Sequence, residues 1–340
     1  MSNITAVIAA IVAFAVTSLS GFFVIPYLRK LKFGQTILEI GPKWHESKKG
    51  TPTMGGIMII AGVVVATAAA YGYSAIIGGD FSQQLKIPFN ASLFFAGIVM
   101  ALGMGAIGFF DDYIKVVKKR NLGLTAKQKT FLQLLVSALY LVTLAICGVR
   151  TTNIPFIGDI DVSSGIGLIF WPIALMFVYG FTNAVNLTDG LDGLASSVTL
   201  VGACALMLIS GLFGLGYPNA TAAALAGACA GFVVWNCKPA KVFMGDTGSM
   251  FLGGMMVALS FSTGRPIILL LIGIIYIIEA FSVMLQVAHY KRTKKRIFKM
   301  APIHHHFEMC GWSEEKVVAV FSLVTLIASV ITIFLAVLGR

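Results

Sequence analysis

The stretch ITAVIAAIVAFAVTSLSGFFVIPY, residues 4–27, contains no charged side chain over 24 positions. A helix needs about 20 apolar residues to cross the hydrocarbon core of a bilayer, so this stretch predicts a membrane-spanning helix. Nine further apolar runs lie near 54–78, 91–110, 130–149, 166–186, 195–214, 220–236, 247–263, 267–288 and 317–338. The sequence therefore predicts an all-α integral membrane protein with ten transmembrane helices, forming a single polytopic membrane domain over residues 1–340.

The composition excludes a soluble globular domain. Hydrophobic residues make up 58% of the chain and charged residues only 11%, whereas roughly 25% charged is usual for soluble domains. A closed β-barrel would show roughly ten-residue alternating segments instead of long apolar runs. The first run is too long for the apolar region of a signal peptide and has no basic segment before it, so we expect no cleavable signal.

The net charge of +11 could indicate nucleic acid, but the positions of the cations decide against it. Of the 25 lysines and arginines, 21 lie in four loops on one predicted side, namely 28–53, 111–129, 237–248 and 289–316. Positively charged loops stay in the cytoplasm. The pattern predicts that both termini are extracytoplasmic, that anionic lipid accounts for much of the positive charge, and that nucleic acid is not a partner.

The carboxylates provide the main functional signal. Only fourteen are present, and five aspartates stand at or beside the predicted cytoplasmic ends of apolar runs. Asp111 and Asp112 end one run in FFDDYIK, where two adjacent carboxylates repel unless a cation or a proton lies between them. The pattern favours a metal ion or a shifted pKa, and the alternative is a pair of solvated charges at a helix end.

A second pair of aspartates lies in NAVNLTDGLDGLASS, residues 183–197. Spacing of three places Asp189 and Asp192 on one face if the segment is helical. The alternative is a turn that caps the next helix. Asn183 and Asn186 just before them favour a binding function, because amides at a membrane-buried helix end need partners.

The fifth aspartate, Asp246, lies in KVFMGDTGSMFLGG, residues 241–254. Small residues such as Ser249 at the opening of a helix present free backbone N–H groups, which suit phosphate. The P-loop spacing is absent. Phe243 could stack on a base, and the alternative is an aromatic anchor at the membrane interface.

Histidines and lysines complete the inventory. His304, His305 and His306 are consecutive in APIHHHFE, which suits proton transfer or hydrogen bonding better than a shared metal, the alternative being surface imidazoles. Lys48 and Thr53 precede the second run, and Lys127 and Lys129 precede the fourth; these side chains are candidates to offset phosphate charge. Glu279, inside the ninth run, has no role that the sequence indicates.

Carboxylates for Mg²⁺, cations for a pyrophosphate and backbone donors together predict phosphoryl transfer with a lipid partner. The motifs TPTMGG, FFDDYIK, NLTDGLDGLA, FMGDTGS and APIHHHFE occur in this order across nearly the whole chain. In this respect the sequence resembles the bacterial phospho-N-acetylmuramoyl-pentapeptide transferases, a branch of the polyprenyl-phosphate N-acetylhexosamine-1-phosphate transferase superfamily.

The resemblance implies a multi-pass enzyme of the bacterial plasma (inner) membrane with a cytoplasmic active-site cleft, Mg²⁺ dependence and a homodimer. The implied reaction converts UDP-MurNAc-pentapeptide and undecaprenyl phosphate into lipid I and UMP for peptidoglycan synthesis. It implies metal ligation by Asp246 with Asp111 and Asp112 close by, and a catalytic set made of these three aspartates and His304. The implied substrate-binding residues are Lys48, Thr53, Lys127, Asn186, Asp189, Asp192, Phe243, Ser249, Gln286, His305 and His306.

Three alternatives stay open at this point. The reaction could proceed by direct attack of the lipid phosphate or through a phosphorylated aspartate. A UDP-N-acetylhexosamine transferase of the same superfamily would use a UDP-sugar without peptide. A proton-coupled transporter is a further reading, since acids and histidines in membrane proteins often relay protons, but here the acids gather at one face and not at the midplane.

Overall fold

The computed structural model describes residues 2–31, 50–117 and 123–339, and within these ranges the chain is almost entirely helical. The α-helices of these ranges are α1 (Ser2–Lys30), α2 (Gly56–Ile77), α3 (Asp80–Leu85), α4 (Pro88–Val117), α5 (Ala126–Ile146), α6 (Phe170–Thr188), α7 (Leu194–Leu212), α8 (Gly216–Asn236), α9 (Gly245–Ser262), α10 (Leu269–Ile272), α11 (Ile274–Thr293), α12 (Ile303–Met309) and α13 (Glu314–Leu338). An antiparallel hairpin of β1 (Thr151–Ile154) and β2 (Gly158–Asp161) joins α5 to α6.

Within the described ranges, eight helices are long and apolar enough to cross a membrane, namely α1, α2, α4, α5, α6, α7, α8 and α13. A ninth crossing arises if two segments that meet at a sharp bend, Pro266–Ile272 and Ile274–Thr293, form one broken span. The prediction of an all-helical membrane protein is confirmed. Ten spans were predicted, and the described residues provide eight, or nine if the bent pair is one span.

The bend of 75° falls at Gly273, between α10 and α11. A side chain cannot replace the glycine without displacing its neighbour, because a Cβ there would lie 2.4 Å from Cε2 of Phe181 on α6. Glycine is one of the residues at which sharp bends in helices occur. The bend leaves α11 as a separate helix that carries Glu279 and Gln286.

The remaining predicted run, 247–263, forms α9, which is not among the helices apolar enough to qualify as a span. Every residue from Thr247 to Phe261 is buried, so the surface of α9 meets other helices. It packs against α4, α6 and α2. A helix enclosed by protein does not need the uniformly apolar surface of one that faces lipid, which explains its lower hydropathy.

Local signals set the starts of two helices that matter for the site. Thr125 accepts a hydrogen bond from the backbone N–H of Gln128, whose side chain accepts one from the backbone N–H of Thr125. This reciprocal arrangement stabilises the first turn of α5. At the start of α13, the Ser313 hydroxyl accepts the backbone N–H of Lys316 in a single capping hydrogen bond. The capped turn of α5 holds Lys129 in place.

Candidate active site

Three carboxylates converge where the end of α4 meets the beginning of α9. Asp111 and Asp112 lie in the last turns of α4, and Asp246 is the second residue of α9. One oxygen from each carboxylate lies within 4.8 Å of the others. The packing of α4 against α9 therefore brings together residues that are more than 130 positions apart in the sequence.

Glycines allow this close approach. A Cβ at Gly108 of α4 would lie 2.1 Å from the backbone oxygen of Asp246, and one at Gly254 of α9 would lie 2.8 Å from Cα of Ala101. Only a residue without a side chain fits at such distances. Small residues let helix backbones touch in membrane proteins, and here the contact places Asp111 and Asp112 one turn beyond it.

Asp112 is bound to the first turn of α9. Its Oδ2 accepts hydrogen bonds from the backbone N–H of Thr247 at 2.9 Å and from its hydroxyl at 2.8 Å, and its Oδ1 accepts one from the backbone N–H of Asp246 at 3.2 Å. A carboxylate at a helix N-terminus is stabilised by free N–H groups and by the positive end of the helix dipole. Asp112 thus fixes the position of Asp246 relative to α4.

Two lysines contact the same carboxylates. The ammonium group of Lys115 pairs with Asp111 and lies 3.1 Å from Oδ2 of Asp246, and that of Lys129 lies 2.8 Å from the same Oδ2. Lys127, predicted to meet phosphate, is exposed on the first turn of α5. Lys115 was not singled out from the sequence, although its spacing of four and three residues from the two aspartates on a helix was a usable signal.

Polar side chains from neighbouring helices surround Asp246. The amide of Asn186 at the end of α6 donates to Oδ1 of Asp246 at 2.9 Å and to the hydroxyl of Ser249 at 2.8 Å. The hydroxyl of Thr53 lies close to Gly245, where an added Cβ would approach both it and the Asp112 carboxylate within 2.7 Å. Three predicted site residues, Thr53, Asn186 and Ser249, therefore lie at the carboxylate cluster.

The segment before α2 runs beside the segment before α9. Backbone hydrogen bonds join Phe243 to Pro52 and Gly55, each at 2.8 Å. Phe243 is therefore held next to the segment that contains Thr53. The side chain of Phe243 is partly buried. The predicted Lys48 lies just before this segment and outside the described residues.

Asp189 and Asp192 have different surroundings. Asp189, partly buried, has its pKa raised to about 8 by burial and by the negative charges of Asp246, Asp112 and Asp192. Asp192 is buried, and its Oδ2 accepts the backbone N–H of Ala240 at 3.0 Å. Asp189 thus belongs to the electrostatic environment of the cluster, whereas Asp192 stabilises the loop before α9.

The three histidines of α12 each contact a different group. His304 is fully buried, and its Nδ1 lies 3.1 Å from Oε1 of Glu279. Nδ1 of His305 lies 2.7 Å from Oε2 of Glu308. His306 accepts the backbone N–H of Lys299 at Nδ1, 3.1 Å away. The sequence did not indicate Glu279 as a partner of His304, because that contact depends on how α11 and α12 pack, whereas His305 and Glu308 lie three residues apart on one helix.

Gln286 lies on α11, and its side chain binds the loop that leads to α12. Its Oε1 accepts the backbone N–H groups of Ile297 and Phe298, each at 3.0 Å, and its amide donates to the oxygen of Phe298. The structure places this predicted substrate-binding residue as a support for that loop. The loop leads into α12 and so to the histidines.

The donor set fits a hard divalent cation. Oxygen atoms from Asp111, Asp112 and Asp246 are close enough to share one ion, and carboxylate oxygen is the ligand type that Mg²⁺ prefers. The oxygens of Asp112 are already hydrogen bonded to the start of α9. Asp111 pairs with Lys115, and Asp246 pairs with Lys115 and Lys129, so a cation bound here would replace these ammonium groups.

Comparison with known proteins supplies the family. The Glycosyl transferase family 4 model matches residues 94–264, and the Phospho-N-acetylmuramoyl-pentapeptide-transferase signature 1 matches residues 48–60. The chain is 45% identical over 325 residues to the phospho-N-acetylmuramoyl-pentapeptide-transferase of Clostridium perfringens (strain SM101 / Type A), covering 94% of each chain. The chain belongs to the phospho-N-acetylmuramoyl-pentapeptide transferase family.

Other family members align over similar lengths. The transferase of Heliobacterium modesticaldum is 45% identical over 328 residues, covering 96% of this chain and 97% of the relative. That of Shouchella clausii is 42% identical over 343 residues and covers 99% of both. The aligned region, 99% of this chain for the Shouchella clausii transferase, includes the five aspartates at helix ends and the histidines of α12. The family resemblance predicted from the motifs is confirmed.

Proposed function

We propose that this chain transfers phospho-N-acetylmuramoyl-pentapeptide from UDP-MurNAc-pentapeptide to undecaprenyl phosphate, giving lipid I and UMP in peptidoglycan synthesis. Its membership of the transferase family supports this activity. The observation that carries the chemistry is the cluster of Asp111, Asp112 and Asp246, whose ligand oxygens lie within 4.8 Å of one another at helix ends. Such a cluster suits a reaction at phosphorus.

The proposed setting is the bacterial plasma (inner) membrane. We take residues 1–340 as a single polytopic domain that crosses ten times, with α9 and the bent pair α10–α11 counted as spans and both termini extracytoplasmic. The basic loops support this orientation. The site would then open to the cytoplasm, where a soluble nucleotide and a lipid phosphate can meet. A homodimer belongs to the same proposal.

The reaction would depend on Mg²⁺. Asp246 and Asp111 would hold the ion, with Asp112 beside them. When bound, the ion would neutralise charge on the diphosphate and on the departing UMP. The ammonium groups of Lys115 and Lys129 already lie at these carboxylates and could turn toward phosphate oxygens, with the exposed Lys127 available to a phosphate approaching from the cytoplasmic side.

We favour direct attack by the lipid phosphate over a covalent enzyme intermediate. A phosphomonoester has a second pKa near ~6 and is mostly a dianion at neutral pH, so it is a competent nucleophile without help. Asp111 would position the acceptor or remove its residual proton. His304, whose ring lies against Gly190, would belong to the same catalytic set. Trapping a phosphorylated aspartate in the absence of lipid acceptor would contradict this order of events.

The nucleoside side of the substrate would bind next to the cluster. Phe243 would stack on the base, since its ring is held beside Thr53 and is partly accessible. The remaining proposed contacts come from three places, the end of α6, the start of α9 and the loop with α12. These residues are Lys48, Asn186, Asp189, Asp192, Ser249, Gln286, His305 and His306.

Release of UMP by the purified protein in detergent tests the proposal. We expect UMP from UDP-MurNAc-pentapeptide only when undecaprenyl phosphate and Mg²⁺ are both present. Equal UMP release from UDP-N-acetylglucosamine would assign the chain to the hexosamine branch of the superfamily. Absence of UMP with either nucleotide would contradict the proposed activity and favour a transporter.

A further inference from the structure

Glu279 is a carboxylate in the interior of a predominantly apolar helix. It lies on α11 with none of its surface exposed. An ionised or polar group in such surroundings is costly unless it is paired. Its Oε1 lies 3.1 Å from Nδ1 of His304, whereas its Oε2 has no hydrogen-bond partner among the described residues. Among the described residues, His304 is therefore the one hydrogen-bond partner of the Glu279 carboxylate.

His304 is equally enclosed, and its second ring nitrogen is directed toward the candidate active site. Nε2 of His304 has no hydrogen-bond partner within the described ranges. A Cβ at Gly190 would lie 2.3 Å from this nitrogen, so it lies directly against the turn that begins with Asp189. Burial, and then the negative charges of Asp246 and Asp112, raise the pKa of Asp189, so this turn lies within electrostatic range of the carboxylate cluster.

The adjacent histidine, His305, differs in where its carboxylate partner lies. His305 also uses Nδ1 to contact a carboxylate, but its partner Glu308 lies three residues later on the same helix. Glu279 comes from a different helix, 25 residues earlier in the chain. The Glu279 contact thus links α11 to α12. It orients the ring of His304 and not that of His305, although the centroids of the two rings are only 4.1 Å apart.

We propose that Glu279 is a positioning residue that acts through His304. Its carboxylate accepts a hydrogen bond from Nδ1–H and thereby selects the tautomer whose Nε2 is unprotonated. A carboxylate commonly sets the tautomer of a histidine in this way. Nε2 then faces the Asp189 turn as an acceptor for a hydrogen bond or a proton from the substrate. The inference rests on the proposed function for its kinetic consequence, but the tautomer itself can be observed without turnover.

The kinetic test uses Glu279→Gln, which keeps the shape of the side chain and removes its charge. We expect kcat to fall by about 10²-fold, with KM for both substrates changed by less than about twofold. In a His304→Ala background, Glu279→Gln should cause no further loss. Glu315→Gln is the matched control, because Glu315 is an exposed carboxylate paired with Lys238 and should leave kcat unchanged.

The spectroscopic test reads the imidazole directly. Protein labelled with ¹⁵N at histidine, in nanodiscs and with His304→Asn for assignment, should show His304 protonated at Nδ1 and not at Nε2. Glu279→Gln should shift or mix this pattern, and Glu279→Asp should partly restore both the pattern and kcat. Thermal unfolding of each variant identifies any that fail to fold. If a variant does not fold, the His304 tautomer seen in the wild-type spectrum tests the proposal by itself.

Two results would overturn the inference. One is an Nε2–H tautomer in the wild type, because Glu279 would then be the protonated donor. The other is a loss of kcat in Glu279→Gln that adds to the loss in His304→Ala, since Glu279 would then act independently of the ring. If His304→Ala retains full turnover while the wild-type spectrum shows Nδ1–H, the proposed catalytic role of His304 fails and the pairing stands.

Discussion

The carboxylate of Asp112, near the end of α4, accepts two hydrogen bonds from Thr247, at 2.9 Å from the backbone N–H and 2.8 Å from the hydroxyl. Both residues are buried. One side chain thus joins the last turns of a membrane helix to the first turn of the helix that carries Asp246. The relative position of the three carboxylates depends on this junction.

Thr247→Val should destabilise the protein. The substitution removes the hydroxyl donor from a buried carboxylate, and a hydrogen bond to a charged group contributes roughly 1.5 to 3 kcal/mol. Thermal unfolding in detergent would measure the loss. Thr143→Val is the control, because the exposed Thr143 hydroxyl bonds only to Leu139 of its own helix and should change stability by less than about 0.5 kcal/mol. Equal effects of the two substitutions would contradict the role of the junction.

Gly108→Ala should abolish turnover even though alanine favours helix formation. The new Cβ would lie 2.1 Å from the backbone oxygen of Asp246, so α4 and α9 must separate and the carboxylates with them. Gly180→Ala on α6 is the matched control, because a Cβ there meets nothing within 4 Å. UMP release from both variants measures the effect. A Gly108→Ala variant with wild-type turnover would show that the close helix contact is dispensable.

Asp189 should give stability a pH dependence of definite sign. Its pKa in the folded state is about 8, above the ordinary value of 3.8, so the folded protein binds more protons than the unfolded chain between these values. The free energy of unfolding therefore falls, through this group, as pH rises across that interval. We expect Asp189→Asn to flatten the change in melting temperature between about pH 5.5 and about pH 8, in the upper part of that interval, measured without added Mg²⁺.

Asp161→Asn provides the control for the pH series. Hydrogen bonds from Ser163 and Ser164 lower the pKa of Asp161 to about 2, so its ionisation is complete before the measured range begins. This substitution should leave the slope as in the wild type. A wild-type slope in Asp189→Asn would mean that other groups produce the dependence.

Lys129→Met should strengthen Mg²⁺ binding to the substrate-free protein and weaken turnover. The ammonium group lies 2.8 Å from Oδ2 of Asp246 and competes with a cation for that oxygen, yet the same charge can stabilise substrate phosphate. Titration calorimetry and UMP release measure the two effects. Lys127→Met should leave Mg²⁺ affinity unchanged, since Lys127 is exposed on the same turn. Weaker Mg²⁺ binding in Lys129→Met would contradict the competition.

The helical membrane fold could be predicted because lipid demands long apolar segments, and most of the observed helices present such segments to it. The sequence was less informative for α9. This helix is surrounded by other helices, so its hydropathy does not indicate whether it crosses the membrane. The position of Asp246 beside Asp111 could be inferred only from chemistry and family motifs, because the helix contact at Gly108 has no local signature that sets its partner.

Contacts between separate elements explain what the sequence left open. Glu279 had no indicated role because its partner His304 lies on another helix, reached only after α11 and α12 pack. Lys127 and Lys129 were equal candidates in the sequence, and only the geometry separates Lys129, at Asp246, from the exposed Lys127. Gln286 and Asp192 were predicted to bind substrate, which stays a prediction; the structure shows each of them supporting a neighbouring loop through hydrogen bonds to its backbone.

The central claim is that the carboxylates at the junction of α4 and α9 share one divalent ion during phosphoryl transfer. The most direct measurement is Mg²⁺ binding and UMP release by Asp246→Ala, compared with the wild type in the same detergent. We predict that both are lost while the melting temperature shows a folded protein. Wild-type Mg²⁺ affinity together with wild-type turnover in that variant would contradict it.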